Sequence, residues 1–371
     1  MRINRLLLVV AMVASLALVV AACGDDNSAS GNGDGGGASN SSGSQELSGS
    51  IAGAGSSAQD AAMQAWIAGF QDANPDATVS YDPVGSGGGR EQFVAGGTDF
   101  GGTDSALADE ELSGAQKRCG GADNLIEIPV YVSPIAIIYN LEGVDNLQLS
   151  PETAAKIFKQ EITNWNDPAI AKDNPGVKLP DQRISPVNRS DESGTTENFT
   201  DYLSQAAPSV WTDEPDGNWP VKGGEAAEGT SGVVDAVKAG KGTVGYADES
   251  QAGELGIAKI KIGSEYVAPS AEAAAAILDK SKESDDPGQY VFTYELDRKI
   301  QGTYPITLTS YQMACTKYDS ADKAALVKGL LTYVISPEGQ DAAAQNAGSA
   351  PISDTLRQKI QPAVEAIGSG S

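Results

Sequence analysis

Three times along this chain a short apolar strand runs into a glycine- and hydroxyl-rich turn that opens directly into a helical pattern. That repeated order restricts the fold to βα units built on a mainly parallel sheet. The first strand reads from Gly49 to Gly53, after which Met63, Trp66, Ile67 and Phe70 recur at helical spacing. A helix from about Ala58 to Gln71 therefore buries one face on the sheet. The second strand, Thr78 to Tyr81, leads through Gly85-Ser86-Gly87-Gly88-Gly89 into Arg90-Glu91-Gln92-Phe93, a turn whose residues let backbone approach a ligand. The third transition, Val187 to Thr196, feeds a helix with Phe199 and Leu203 on its apolar face.

Elsewhere Ile128 to Asn140 reads as extended and apolar, Ser150-Pro151 as a helix start with a cap and a proline at the first helical position, and Val244 to Tyr246 and Ile306 to Tyr311 as late strands. An Ala-rich helix covers about Ala321 to Tyr333, and no internal repeat is visible. With 371 residues and 40% hydrophobic content, the chain suffices for two ordinary domains or one two-lobed body.

The formal charge of −25 argues against nucleic acid and anionic membrane surfaces, since a binder of polyanions needs a basic face. A small anion is not excluded, because charges more than about 8 Å away are largely screened at physiological salt while donors inside a cleft are not. Arg2 and Arg5 precede an apolar run from Leu6 to Val20, an export signal occupying residues 1–22. The run ends in Val20-Ala21-Ala22-Cys23, which resembles the lipobox of bacterial lipoproteins, with Cys23 as the acylated first mature residue; the competing reading is a conventional signal with an incidental cysteine. Residues 23–45 have the Gly/Ser/Asn/Asp composition of a flexible tether. Cys119 and Cys315 remain, an even pair in an exported chain, so one disulfide is the economical expectation and two buried thiols the alternative. A bridge closing so long a loop stabilises by about 5 kcal/mol in the chain-entropy model.

No histidine is present, which removes Ser-His-Asp and Cys-His nucleophilic schemes and the commonest transition-metal ligand. No Walker-A pattern, EF-hand loop or zinc-spaced cysteine cluster occurs, so neither metal nor cofactor is expected. Gly53-Ala54-Gly55-Ser56-Ser57-Ala58, with Asp82 beyond, mimics a dinucleotide fingerprint, but export takes the chain away from nicotinamide cofactors. Read together, Ser57-Ala58, Ser86-Gly87 and Ser193-Gly194-Thr195 each present hydroxyls and small residues at a helix start, where unpaired N–H groups and the dipole favour a compact oxyanion. Taken singly, each is also an ordinary cap.

Several of these stretches resemble the phosphate-binding proteins of bacterial phosphate ABC importers, the PstS family. The resemblance covers essentially everything after the tether. It rests on Gly53 to Ser57, Gly85 to Gly88, Asp99-Phe100-Gly101-Gly102-Thr103-Asp104, Ile162-Thr163-Asn164-Trp165-Asn166-Asp167-Pro168-Ala169-Ile170, Arg189-Ser190-Asp191-Glu192-Ser193-Gly194-Thr195 and Val244 to Tyr246. It implies an α/β, two-lobed periplasmic-binding-protein-like fold (type II), with residues 46–131 plus 305–371 as one lobe, 132–304 as the other, and crossings near Pro129 to Pro134 and Pro305.

It further implies phosphate held by Ser57, Ala58, Ser86, Asp104, Arg189, Ser193, Gly194 and Thr195, with Asp191 orienting the Arg189 fork. Where the family usually carries threonine and a bulky aromatic, this chain has Ser57 and Ala58, so the donors survive and the aromatic wall is the departure. The implied role is not enzymatic. It is capture of inorganic phosphate outside the cytoplasmic membrane, the chain anchored through lipid on Cys23, and delivery to the permease subunits of an importer. Binding of another tetrahedral oxyanion, sensing and adhesion are the alternatives on the same scaffold.

Overall fold

Strand β1 (Gly49–Gly55) runs into helix α1 (Asp60–Ala73), which buries Met63, Trp66, Ile67 and Phe70 as their spacing requires. Strand β2 (Ala77–Asp82) alternates buried and exposed residues, as a sheet edge with one wet face should. Helix α2 (Ser86–Ala95), strand β3 (Phe100–Thr103) and helix α3 (Asp109–Cys119) follow, and Cys119 forms a disulfide with Cys315 across a Cα–Cα distance of 5.2 Å. The computed structural model describes residues 47–284 and 288–369. The export signal, Cys23 and the tether lie outside the described residues.

Strand β4 (Leu125–Asn140) is buried over all but its last residue and is the spine of the molecule. Helix α4 (Pro151–Phe158) starts where Ser150-Pro151 places it, with the Ser150 hydroxyl accepting from Thr153 N. Strand β5 (Ser185–Arg189) feeds helix α5 (Gly194–Ala206), strand β6 (Glu225–Ala227) feeds helix α6 (Gly229–Ala239), and strand β7 (Thr243–Asp248) follows. Strand β8 (Thr307–Cys315) returns through the centre before helix α7 (Ala321–Ile335).

The main sheet runs β2-β1-β3-β8-β4-β7-β5-β6. Its flanks are parallel, as the βα units require, whereas β8 and β4 run antiparallel to each other and to their outer neighbours β3 and β7. The reason lies in β4, which changes partner along its length. From Leu125 to Pro134 it pairs with β8, and from Ile135 to Asn140 with β7.

Proline inside a buried strand normally breaks a ladder, because it has no N–H to donate. Here Pro129 stands opposite Tyr311, next to the register shift between Ser310 and Tyr311, and Pro134 is the last residue before the change of partner. Both prolines therefore sit at discontinuities of the pairing. Ile135 N then donates to Ile306 O at 2.6 Å, tying β4 to the residue just before β8. No helix among the described residues is long and apolar enough to cross a membrane.

Candidate functional site

The turns at the carboxyl ends of β1, β3 and β5 and at the start of α2 meet at one point. Gly85, with φ +91, leaves β2 for α2 in a conformation that L side chains rarely adopt, and a Cβ there would lie 2.4 Å from Asp191 Oδ2. At Gly194 a Cβ would lie 2.7 Å from Asp104 Cβ and 2.8 Å from Ser86 Oγ. Glycine is needed at both positions because side chains and backbone of loops distant in sequence press against them.

Asp104 is 3% exposed. Its Oδ2 accepts from Ser56 Oγ at 2.7 Å and from Thr195 Oγ1 at 3.4 Å, and its Oδ1 from Ser310 Oγ at 2.5 Å. A carboxylate offers about four acceptor positions, so three hydroxyls leave about one for a ligand. Burial pushes this carboxyl above its ordinary value, against the lowering influence of Ser310, Ser56, the Arg189 charge and Thr195. The Asp104 N–H donates to Ser86 Oγ at 3.1 Å, which orients that hydroxyl.

Arg189 ends β5, 3% exposed, with Nε donating to Asp191 Oδ1 at 2.8 Å and Nη2 paired with Asp191 Oδ2. One edge of the guanidinium is thus committed to orientation, and its remaining donors belong to the other edge. Burial raises the Asp191 carboxyl, but the Arg189 hydrogen bond and charge and the Gly229 N–H outweigh it, so the group sits below its ordinary value. Tyr246 OH accepts from Arg189 N at 3.3 Å, and its ring stacks on Phe199 with centroids 4.5 Å apart, seating α5 beside β7.

Ser193 is the cap of α5, its Oγ accepting from Thr196 N at 3.3 Å, which leaves the hydroxyl hydrogen to donate elsewhere. Gly194 and Thr195 are the first two helical residues, where no intrahelical acceptor exists for the N–H. Ser57 lies across from α6, its Oγ 3.1 Å from Thr230 Oγ1 and accepting from Thr230 N at 3.0 Å. Ala58 beside it is fully buried, and Gln251 Nε2 donates to the carbonyls of Ser57 at 2.9 Å and Ala58 at 3.4 Å.

Of the site residues read from sequence, Ser86, Asp104, Gly194 and Thr195 are thus in direct contact, Arg189 and Asp191 lie against Gly85 at the start of α2, and Ser57 and Ala58 face the start of α6 and Gln251. The reading missed Ser56, Ser310, Gly229 and Thr230. A signal for the last two existed, since β6-Gly229-Thr230-α6 repeats the strand, glycine, hydroxyl, helix order of the other loops. Ser310 had none, lying in mid-strand 206 residues from its partner. Among the described residues no cluster of acidic, cysteine or histidine side chains is arranged to hold a metal ion.

A model of the PBP superfamily domain matches residues 40–338. The chain is 36% identical to the phosphate-binding protein PstS 3 of Mycobacterium tuberculosis over 374 aligned positions, covering 99% of this chain and all of that protein. It is 30% identical to the phosphate-binding protein PstS of Haemophilus influenzae, over 80% of this chain and 87% of that one. Among solved structures, a high-affinity periplasmic phosphate-binding protein bound with phosphate superposes with a TM-score of 0.68 at 21% identity, covering 85% of this chain and 93% of the other. A phosphate-binding protein from Stenotrophomonas maltophilia gives 0.65 at 20% identity with the same coverage.

Proposed function

This chain belongs to the PstS family of phosphate-binding proteins, and from that premise we propose that it captures inorganic phosphate outside the cytoplasmic membrane and passes it to an ABC importer. The observation that carries this reading is the pairing of a buried, hydroxyl-held carboxylate, Asp104, with a buried, carboxylate-oriented guanidinium, Arg189. Phosphate at neutral pH keeps at least one O–H, which the remaining acceptor position of Asp104 receives. Sulfate has no such proton and would meet the carboxylate lone pair to lone pair. Arg189 and the N–H groups that begin α5 and α2 supply donors for the other oxygens, Gly194 and Thr195 through their backbone, with Ser57, Ser86 and Ser193 as hydroxyl donors.

We place the hinge in β4 near Pro129 to Pro134 and at the return crossing near Pro305, which divides the body into residues 46–131 plus 305–371 and residues 132–304. Asp104 and Ser86 then belong to one lobe and Arg189 to α5 to the other, so capture is closure of one on the other. Lipid on Cys23, with residues 23–45 as a tether, would keep the body at the membrane beside the permease subunits. We read the chain as a carrier rather than an enzyme.

Calorimetry of the mature protein with phosphate, arsenate, sulfate and molybdate tests the reading. Saturable phosphate binding with sulfate far weaker is the expected outcome. Equal affinity for sulfate and phosphate would remove the role given to Asp104, and preference for molybdate would make this a carrier of a different oxyanion.

A further inference from the structure

Behind Asp104 runs a second chain of buried polar groups. Asn198, 8% exposed on α5, donates through Nδ2 to Asp104 O at 2.7 Å and to Gly194 O, one turn back on its own helix, at 2.9 Å. Its Oδ1 accepts from Arg298 Nη2 at 2.6 Å. Arg298, 4% exposed, spends its other donors on Asp201 Oδ2 at 2.8 Å and on two carbonyls of the returning strand, Pro305 O at 3.1 Å and Thr307 O at 2.5 Å. Asn198, Asp201 and Gln205 fall on one face of α5, and Gln205 adds a bond from Arg298 N at 3.2 Å.

A buried arginine with so many partners is costly to place and costly to disturb. The bland account is that it staples the segment before β8 to α5. That account does not explain why the fork reaches the carbonyl of Asp104 through one intervening amide. Gly194 O, the second acceptor of that amide, lies at the first residue of the helix whose opening turn faces the anion site.

We propose that Asn198, held in orientation by Arg298, is a positioning residue for phosphate capture, fixing the Asp104 loop against the N-terminus of α5 and linking both to the return crossing. This rests on the reading of the site as a phosphate cleft. With the lobes divided as above, the bond to Asp104 O joins one lobe to the other and forms only on closure, while the bonds to Pro305 O and Thr307 O span the crossing itself. Loss of the Asn198 amide removes a contact that the closed form has and the open form lacks. Ligand release therefore speeds up, whereas the bond that Arg298 loses is lost from the open and closed forms alike and lowers the stability of both.

The experiment compares the full-length mature protein with Asn198→Ala, Arg298→Lys and the double variant, measuring the phosphate dissociation constant, the release rate by stopped flow and the melting temperature without phosphate. Asn198→Ala is expected to weaken binding on the order of tenfold, mostly through faster release, beside the fall in phosphate-free melting temperature that the unpaired Arg298 fork causes. Arg298→Lys keeps a positive charge for Asp201 but not the fork. It should weaken binding less, and add nothing further once Asn198 is alanine. An unchanged dissociation constant in Asn198→Ala overturns the proposal, as does a fall in melting temperature without loss of affinity. Losses that simply multiply in the double variant overturn the action of Arg298 through Asn198. Failure of the unaltered protein to bind phosphate sinks the functional reading instead. In phosphate-saturated protein, hydrogen exchange of the amides of residues 104–107 decides the positioning role, with faster exchange in Asn198→Ala supporting it and unchanged exchange overturning it.

Discussion

Asp104 is held by hydroxyls from three separate stretches of chain, Ser56, Thr195 and Ser310, whereas Arg189 is held by Asp191 two residues along, itself fixed by a single N–H from Gly229. Among the described residues the acid is bonded only by neutral donors, and burial raises its proton affinity. Arg189 carries its compensation with it, and the compensating carboxyl is lowered. A negative group kept in neutral company can sense whether an incoming oxygen bears a proton. A positive group already paired on one edge supplies attraction and geometry with little discrimination of its own. On the proposed reading, selectivity and affinity are thereby assigned to opposite walls of one cleft.

That division can be broken experimentally. The largest effect is expected in Asp104→Asn, whose amide can donate to a fully deprotonated oxyanion. The preference for phosphate over sulfate, measured by calorimetry, should collapse from a discrimination that in such sites reaches about 10⁴-fold. Retained preference would place selectivity elsewhere. Next comes Arg189→Ala, which strips the charge-assisted fork and strands Asp191, and should cost about 2–5 kcal/mol of phosphate affinity while leaving the phosphate-to-sulfate ratio nearly intact. An altered ratio with unaltered affinity would reverse the assignment of the two walls.

A smaller change sharpens the same contrast at the rim. Arg90, buried on α2 and bonded to Glu111, reaches Glu192 Oε1 at 2.5 Å, while Gly87 N donates to Glu192 O at 3.2 Å. The Glu192 side chain is 43% exposed, so this ion pair is worth about 1 kcal/mol or less. Glu192→Ala should therefore speed phosphate release only a few-fold and leave selectivity alone. Release slowed or unchanged in stopped flow would show that the pair does not hold the cleft shut.

The smallest effects are in pH dependence, where the two carboxyls have opposite signs. Asp104, raised, contributes stability that is full below the ordinary carboxylate range and lost as pH rises through its raised value. Asp191, lowered, contributes stability present above that range and lost as pH falls through its lowered value. In phosphate-free chemical denaturation, Asp104→Asn should flatten the upper limb and Asp191→Asn the lower one. Asp248, at the junction of β4 with β7, is pushed by burial up to about 7 and has the same sign as Asp104. The Asp104 limb is therefore read as a difference from the unaltered protein.

What could be read from residues alone was what the chain settles within a few residues of itself. Helix α1 buries the four apolar residues its spacing marks, Ser150 and Ser193 cap their helices, and Arg189 pairs with an acid two positions away. These features are stabilised by local bonds, so the order of residue types determines them wherever the segment ends up. The resemblance to a known family extended that reading to which loops share a ligand.

Only the folded sheet decided the rest. The change of partner along β4 requires β7 and β8, both far later in the chain, to pair with its two halves, and the antiparallel centre follows from that rather than from any periodicity. Ser310 reaches Asp104, Thr230 reaches Ser57, and Arg298 reaches Asp104 through Asn198, each across about a hundred residues or more. A hydroxyl in mid-strand or an arginine in a loop looks the same in sequence whether it faces water or a buried carboxylate. Its partner is chosen by strand pairing that is complete only when the last strand has entered the sheet.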